Sequence, residues 1–525
     1  MGFNFFCSLA SAAFRRTAAV LILLTGLGLL ASAAQAQPGP VKEIRMASAI
    51  SFSSFDPLFA TAPTVDYLRP VYDTLVVRRG IDRFEPGLAT EWHYRDENRV
   101  LTLVLREGVR FFDGEPFNAD AVRANFERGQ AQAGSPWATF YQALKEVRTP
   151  DRHTVELVLS EPNPALIEYL TVNPGMMVSP KALEDPDRLT FNPVGTGGWE
   201  LDSAKSIRGD RYTYQRNDAY WNPAEQPVHT IFIREMRDAA ARVNALRSRQ
   251  VDIAAIDPDQ ADVLRKLSFG IVPTNIVMRM VGVWDAHGTE VAALREPKVR
   301  QAIRMAINRE AILKALFANY GTAGLNFYPT GVPGHSDRLD DLRAHDVEAA
   351  KELMAEAGYR SGFEVNTVVL AHHARVAEVL AGELAKIGVR LEITVMPDAG
   401  SYFAAVRQKK APLGIFAHQT ALPLGMYHSL MSPSGRYNPF NIVDDKLDAL
   451  AQEAARAEPQ EAQQLYANLF YLMVGEQALV FPVVNMEILA ALAPGIHFPE
   501  PTYTDAGLPN PRYLSFSPDA DLPRF

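Results

Sequence analysis

At 525 residues the chain exceeds the length at which a single hydrophobic core stops growing, so two or more lobes are expected. Its 47% hydrophobic and 22% charged residues are those of an ordinary globular protein, which excludes global disorder. The net charge of −9 argues against a nucleic-acid partner, because neutralising phosphates requires a basic face.

The first 36 residues read as an export signal. Arg15 and Arg16 precede an apolar run from Ala18 to Leu30, followed by Ala34-Gln35-Ala36, a small-x-small cleavage pattern. The run is too short to cross a bilayer as a helix, which takes about 20 residues. Cutting after Ala36 leaves 489 residues with net charge −11. The only cysteine, Cys7, lies in the leader, so the mature chain is expected to have no disulfide, thiol nucleophile, thiolate metal site or lipid anchor. No later segment is long and apolar enough to span a membrane, and a protein not embedded in the membrane is expected.

Strand and helix signals then alternate without internal repeats. Ile44–Ile50 reads as an opening strand, and a helix is predicted near Thr64. Leu101–Leu105 and Thr154–Leu159 alternate with period two, as half-buried strands do. In "LREPKVRQAIRMAINREAILKALFANYG" Pro297 suits a first helical position. Val299, Ile303, Ala306, Leu313 and Phe317 form one stripe there, with Gly321 as the stop. "DVEAAKELMAEAGY" offers Asp346 as N-cap and Gly358 as terminator. Val376, Leu380, Leu384 and Ile387 share a helix face, Gly388 ends that helix, and Val389 to Val395 alternate as a strand. Helix, glycine, strand is the second half of an α/β unit.

The stretch "LREGVRFFDGEPFNADAVRANFERG" (Leu105–Gly129) places Asp113, Glu115 and Asp120 close together. An EF-hand needs regularly spaced oxygens and a distant Glu, which Gly114 and Pro116 disrupt. A turn at Asp113-Gly114 followed by a helix capped by Asn118, with Val122 and Phe126 on one face, accounts for more of the residues.

That stretch resembles the signature of the family 5 bacterial extracellular solute-binding proteins, the peptide- and nickel-type receptors of ABC importers. The resemblance continues in order through "NPVGTGGWEL" (Asn192–Leu201), "RNDAYWNP" (Arg216–Pro223), "AARVNALRSRQVDIA" (Ala240–Ala254), "KVRQAIRMAINREAI" (Lys298–Ile312) and "AAKELMAEAGY" (Ala349–Tyr359). Arg249-Gln250 stand where the family usually has a glycine. The resemblance implies an α/β, periplasmic-binding-protein-like two-lobed fold (type II, cluster C) with an extra domain. After the 1–36 signal, the expected division is lobe I from 37–80, 192–289 and 484–525, the extra domain 81–191, and lobe II 290–483. It further implies a periplasmic, monomeric, non-enzymatic receptor without cofactor, delivering a solute to an inner-membrane ABC permease. The opening stretch then marks the scaffold, in the extra domain away from the cleft.

Such a receptor closes about a hinge, and its pocket should lie between the lobes. In dipeptide and oligopeptide binders an acid in a "D-N-G-D-P-D"-like loop pairs with the peptide amine. The corresponding segment here, Leu413–Phe440, has no Asp or Glu, and His418 and Gln419 fall where the acid would be. A desolvated ammonium without a counter-charge is costly, so simple peptides with free amines are expected to bind weakly. An Arg that takes the peptide carboxylate is replaced near "LAHHARVAEV" by His372 and His373, with Arg375 slightly later. Three His invite a metal reading, but neighbours on a strand point to opposite faces, which favours hydrogen bonding to an anionic or amide-rich solute and no metal. Phe52 and Ser53 after the first strand, Trp199 after the glycine turn, and Tyr328 in "NFYPTGVPGH" complete the ligand-binding candidates.

The expected solute is peptide-like or an amino-acid conjugate; a nickel chelate, another small organic anion or an oligosaccharide are alternatives. An exported hydrolase is disfavoured by the absence of a Gly-x-Ser-x-Gly elbow, a His-Glu-x-x-His pair and a mature cysteine, although "PGHSDR" sets His335 beside Ser336. A chaperone-like handler of unfolded segments is a third reading.

Overall fold

The computed structural model describes residues 41–499 and 507–522, apart from 343, 420, 434 and 519. The leader and its expected cleavage site lie outside the described residues. Among the described residues no helix is long and apolar enough to cross a membrane.

The fold is mixed α/β. Its largest sheet has the spatial order Leu413–Gln419, Gly270–Val283, Val480–Leu492, Ile253–Ile256, Val41–Ser48, Val228–Glu235, Arg211–Arg216, Trp199–Leu201. Val41–Ser48 pairs in parallel with both its neighbours, whereas the two long strands pair antiparallel with each other. Those two strands join separate cores. Val272, Ala490 and Leu492 pack with the first strand and its neighbours. Val277, Met278, Met280, Val484 and Met486 pack instead into a core drawn mostly from residues 278–486. The register shifts at the crossing, between Pro273 and Asn275, where proline offers no N–H to the ladder.

A third core lies on a four-stranded antiparallel sheet in the order Ala89–Arg95, Val100–Leu105, Thr154–Leu159, Leu144–Asp151. The Leu105–Gly129 stretch feeds its helix, Ala119–Gln130, which buries Val122 and Phe126. Asn118 caps it by accepting from the Ala121 N–H at 3.0 Å, and Asp113 accepts from the Glu115 N–H and the Ser179 hydroxyl. The carboxylates are thus a turn, its flank and a helix start.

Asp346 caps the Val347–Glu356 helix through the Ala349 N–H, and the Val389–Met396 strand follows Gly388 at φ 81°. Elsewhere the elements differ from the pattern. The helix near Thr64 is a single turn, Val65–Leu68. The stripe from Val299 to Phe317 spans two helices, Pro297–Ala306 and Arg309–Phe317. Asn308 accepts from the Ala311 N–H and starts the second, which ends at Ala318 in the left-handed region rather than at Gly321. A side-chain cap inside an apolar stripe outcompetes its continuation.

Two motif pieces of the resemblance, Asn192–Leu201 and Arg216–Pro223, meet at a buried carboxylate. Asp73, 3% exposed, accepts from Thr196 Oγ1 (2.9 Å), Tyr220 OH (3.0 Å) and Trp221 Nε1 (2.9 Å) and pairs with Arg512. The "VGTGG" turn needs its glycines because a Cβ at Gly195 would meet the Val71 carbonyl oxygen at 2.2 Å, and one at Gly197 the Pro70 oxygen at 2.4 Å.

Candidate ligand-binding site

In open α/β sheets, ligands sit beyond the carboxyl ends of the strands. Phe363–Leu370 and Val389–Met396 form a parallel pair, and Phe363–Leu370 runs beside Leu413–Gln419. The first strand ends at Leu370, just before His372 and His373, and the last carries His418 and Gln419 at its own end.

Sequence reasoning missed the residue at the centre. Arg279 lies on the Gly270–Val283 strand, paired with Ala417 on one side and Val484 on the other. Its Nη1 donates to Nδ1 of His373 (2.7 Å), and its Nε lies 3.2 Å from Sδ of Met486. Among the described residues no carboxylate pairs with it, and burial lowers its pKa to about 10, so it stays a cation at neutral pH. Burial, with the Arg279 charge second, pushes His373 down to about 3, so the imidazole is neutral and accepts the guanidinium N–H. The Ala374–Ala385 helix starts at His373 without a side-chain cap, adding the positive end of a helix to the same place. The only polar residue in "IVMRMVGV" was the available sequence signal.

Cross-strand partners share a sheet face, which sorts the histidines. Arg279 pairs with Ala417, and the neighbouring row Gln419, Val277 and Met486 lies on the same face. His418 pairs with Met278 and therefore lies on the opposite face. Its Nδ1–H donates to the Gln419 carbonyl at 2.5 Å, and its Nε2 accepts from Ser429 at 2.9 Å. Removal from solvent pushes it down to about 4, so both nitrogens of a neutral ring are engaged in bracing the loop. His372 and His373 are not on a strand; a tight turn, Ala371–His373, sets their rings 4.0 Å apart, with His372 exposed and His373 buried. The opposite-face reasoning fails there because the period-two strand has already ended.

The remaining candidates divide. Gln419 and Ser53 are exposed. Phe52 is a core residue: its ring stacks on Tyr67 at 4.6 Å and meets Phe55 and Tyr212 edge-on, which leaves it no free face. Trp199 is 0% exposed, with its indole N–H on the Val228 carbonyl at 3.1 Å. Tyr328 is also in the core, and its hydroxyl donates to the Ala421 carbonyl at 2.7 Å, bracing from below the loop that follows Gln419. The acid-free loop does meet one carboxylate. Glu168, from the third core's side, accepts from the Leu422 N–H at 2.9 Å, but it also pairs with Arg78 at 2.7 Å. Its charge is committed, and burial raises its pKa.

Residues 83–438 match the family model described as bacterial extracellular solute-binding proteins, family 5 Middle. The chain belongs to this family. It is a solute-binding protein of the ABC-importer type, as its relatives are. The glutathione-binding protein GsiB of Shigella flexneri serotype 5b is 29% identical over 469 residues, covering 84% of this chain and 89% of the relative. The dipeptide-binding protein of Escherichia coli K12 is 28% identical over 439 residues, covering 76% and 79%. In fold, this solute-binding protein resembles AgaA of A. tumefacien R10, solved with agropinic acid, at a TM-score of 0.75 and 23% identity over 90% of this chain and 99% of that one.

Proposed function

We propose that this receptor captures an anionic, peptide-like or amino-acid-conjugate solute and that Arg279 takes its carboxylate. The observation that carries this reading is a half-buried guanidinium without a carboxylate partner among the described residues, beside a helix start without a side-chain cap and the neutral His373. A charge held in that way gains most from an anion brought by the ligand. Gln419 and His372 are the exposed polar groups around it, and they suit an amide-rich solute.

In this reading the chain is exported to the periplasm, cut after Ala36, and works as a monomer without catalysis. Lobe I comprises 37–80, 192–289 and 484–525, lobe II comprises 290–483, and 81–191 is the extra domain. The solute would favour closure by binding the closed state more tightly.

Mass spectrometry of the ligand released on denaturing protein purified from its native periplasm tests the class directly: a carboxylate-bearing conjugate is expected, and a neutral sugar overturns it. Glutathione, agropinic acid and unblocked Ala-Ala are the probes for melting shifts and calorimetry. A ligand at 100 times its Kd stabilises by about 2.7 kcal/mol. Ala-Ala should bind far more weakly than micromolar, because the Leu413–Phe440 segment has no acid and the carboxylate that meets it, Glu168, is paired with Arg78; micromolar binding overturns that part of the reading.

A further inference from the structure

His335, Asp337 and Asp340 bring three ligand atoms within 4.8 Å of one another, on a segment apart from the Arg279 site. Asp337 and Asp340 sit three residues apart on one short helical turn, hence on one face. The His335 side chain is only 9% exposed, while those of Asp337 and Asp340 are 93% and 58% exposed, which leaves a path from solvent.

The imidazole is already oriented. Its Nδ1–H donates to the Tyr328 carbonyl at 3.0 Å, so in the neutral ring the lone pair is on Nε2. Nε2 is buried and makes no hydrogen bond, although it lies 3.3 Å from Oδ1 of Asp337 and 3.1 Å from Oδ2 of Asp340. The other oxygen of Asp340 accepts from Asn326 Nδ2 at 2.8 Å, and Asn326 also holds the Ser336 N–H at 2.9 Å. A backbone carbonyl behind the histidine and an amide behind the carboxylate are the outer partners usual for metal ligands. Two ligands about 2.0–2.1 Å from a tetrahedral zinc ion lie about 3.3 Å apart, close to the two separations between Nε2 and the carboxylate oxygens.

We propose that His335, Asp337 and Asp340 bind a divalent transition-metal ion of zinc's class, with water completing the coordination. One nitrogen and two carboxylate oxygens suit zinc or nickel better than calcium or magnesium, which prefer all-oxygen shells. The ion would tie the 335–340 turn to Tyr328, whose hydroxyl braces the loop at Ala421.

The test is calorimetric titration of chelator-treated full-length protein with zinc chloride, without solute. One zinc per chain is expected, with a rise in melting temperature and an anomalous-scattering peak beside His335 Nε2. Asp337→Asn, at an exposed side chain, preserves the fold and should weaken binding at least about tenfold; His335→Gln should weaken it about a hundredfold. Absence of zinc binding overturns the site, and so does an affinity unchanged from the wild type in both variants, which places the bound zinc elsewhere. An imidazolium signal at His335 that zinc leaves unchanged in NMR assigns the cluster to an ion pair and likewise overturns it. These readouts are independent of the solute, so the Arg279 reading can fail without this one.

Discussion

Asp73 and Arg279 are both charged groups taken largely out of water, and they are treated in opposite ways. Asp73 receives donors from Thr196, Tyr220 and Trp221 and the charge of Arg512, all from within the chain. Arg279 has a neutral imidazole, a thioether and no carboxylate among the described residues. A polar group that the fold needs is saturated by the fold; one kept for a ligand retains spare capacity, and its burial is only partly compensated until the ligand arrives. The same test separates Gln419 from His418, which are adjacent in sequence: the first is exposed, and the second has both nitrogens bonded.

The sharpest way to break this contrast is to mutate both charges. Asp73→Ala removes the nearest carboxylate from Arg512 and leaves three other donors without their acceptor, and should cost about 3–5 kcal/mol in denaturant unfolding. Arg279→Gln should leave unfolding stability unchanged or higher while weakening the native solute by roughly 2–3 kcal/mol, about 30- to 150-fold by calorimetry. An Arg279→Gln protein that unfolds easily and binds normally would reverse the assignment of the two regions.

A smaller effect follows from the histidines. The folded values of about 3 for His373 and about 4 for His418 lie below the ordinary value of 6.5. The unfolded chain therefore binds more protons, and the stabilisation from neutral rings is present above pH 6.5 and lost as pH falls toward the folded values. The slope should approach about 1.4 kcal/mol per pH unit for each such group. Unfolding curves from pH 7 to pH 4.5 check it, and His373→Asn should remove one group's share. The smallest effect concerns Arg249, at φ 57°, in the left-handed region where a glycine is usual in the family. Arg249→Gly should raise stability by about 0.5–1 kcal/mol, read as a shift in unfolding midpoint with solute affinity unchanged.

What could be read in the sequence was local. Asn118 and Asp346 cap the next turn, and Gly388 is followed at once by its strand, so three or four residues suffice to specify each. The family motifs were also legible, although what two of them build, the Asp73 node, joins residues from 73 to 512. Arg279 was not legible, because "IVMRMVGV" reads as a buried strand with one interruption, and its partner His373 is 94 residues away. Phe52, Trp199 and Tyr328 misled for the converse reason: an aromatic near an expected cleft has the same signature as one filling the core beneath it. His372, His373 and His418 read as one set until the register put His418 on the sheet face opposite Arg279, the residue that His373 bonds.

The crossing of the two long strands has a mechanical consequence. Because Gly270–Val283 and Val480–Leu492 are hydrogen-bonded to each other through the crossing, neither can bend alone. A two-stranded ribbon flexes across its flat face far more readily than within its own plane, and the interrupted ladder at Pro273 marks its softest point. If the two cores these strands join move relative to each other, bending across the flat face at this point is the direction the ribbon opposes least.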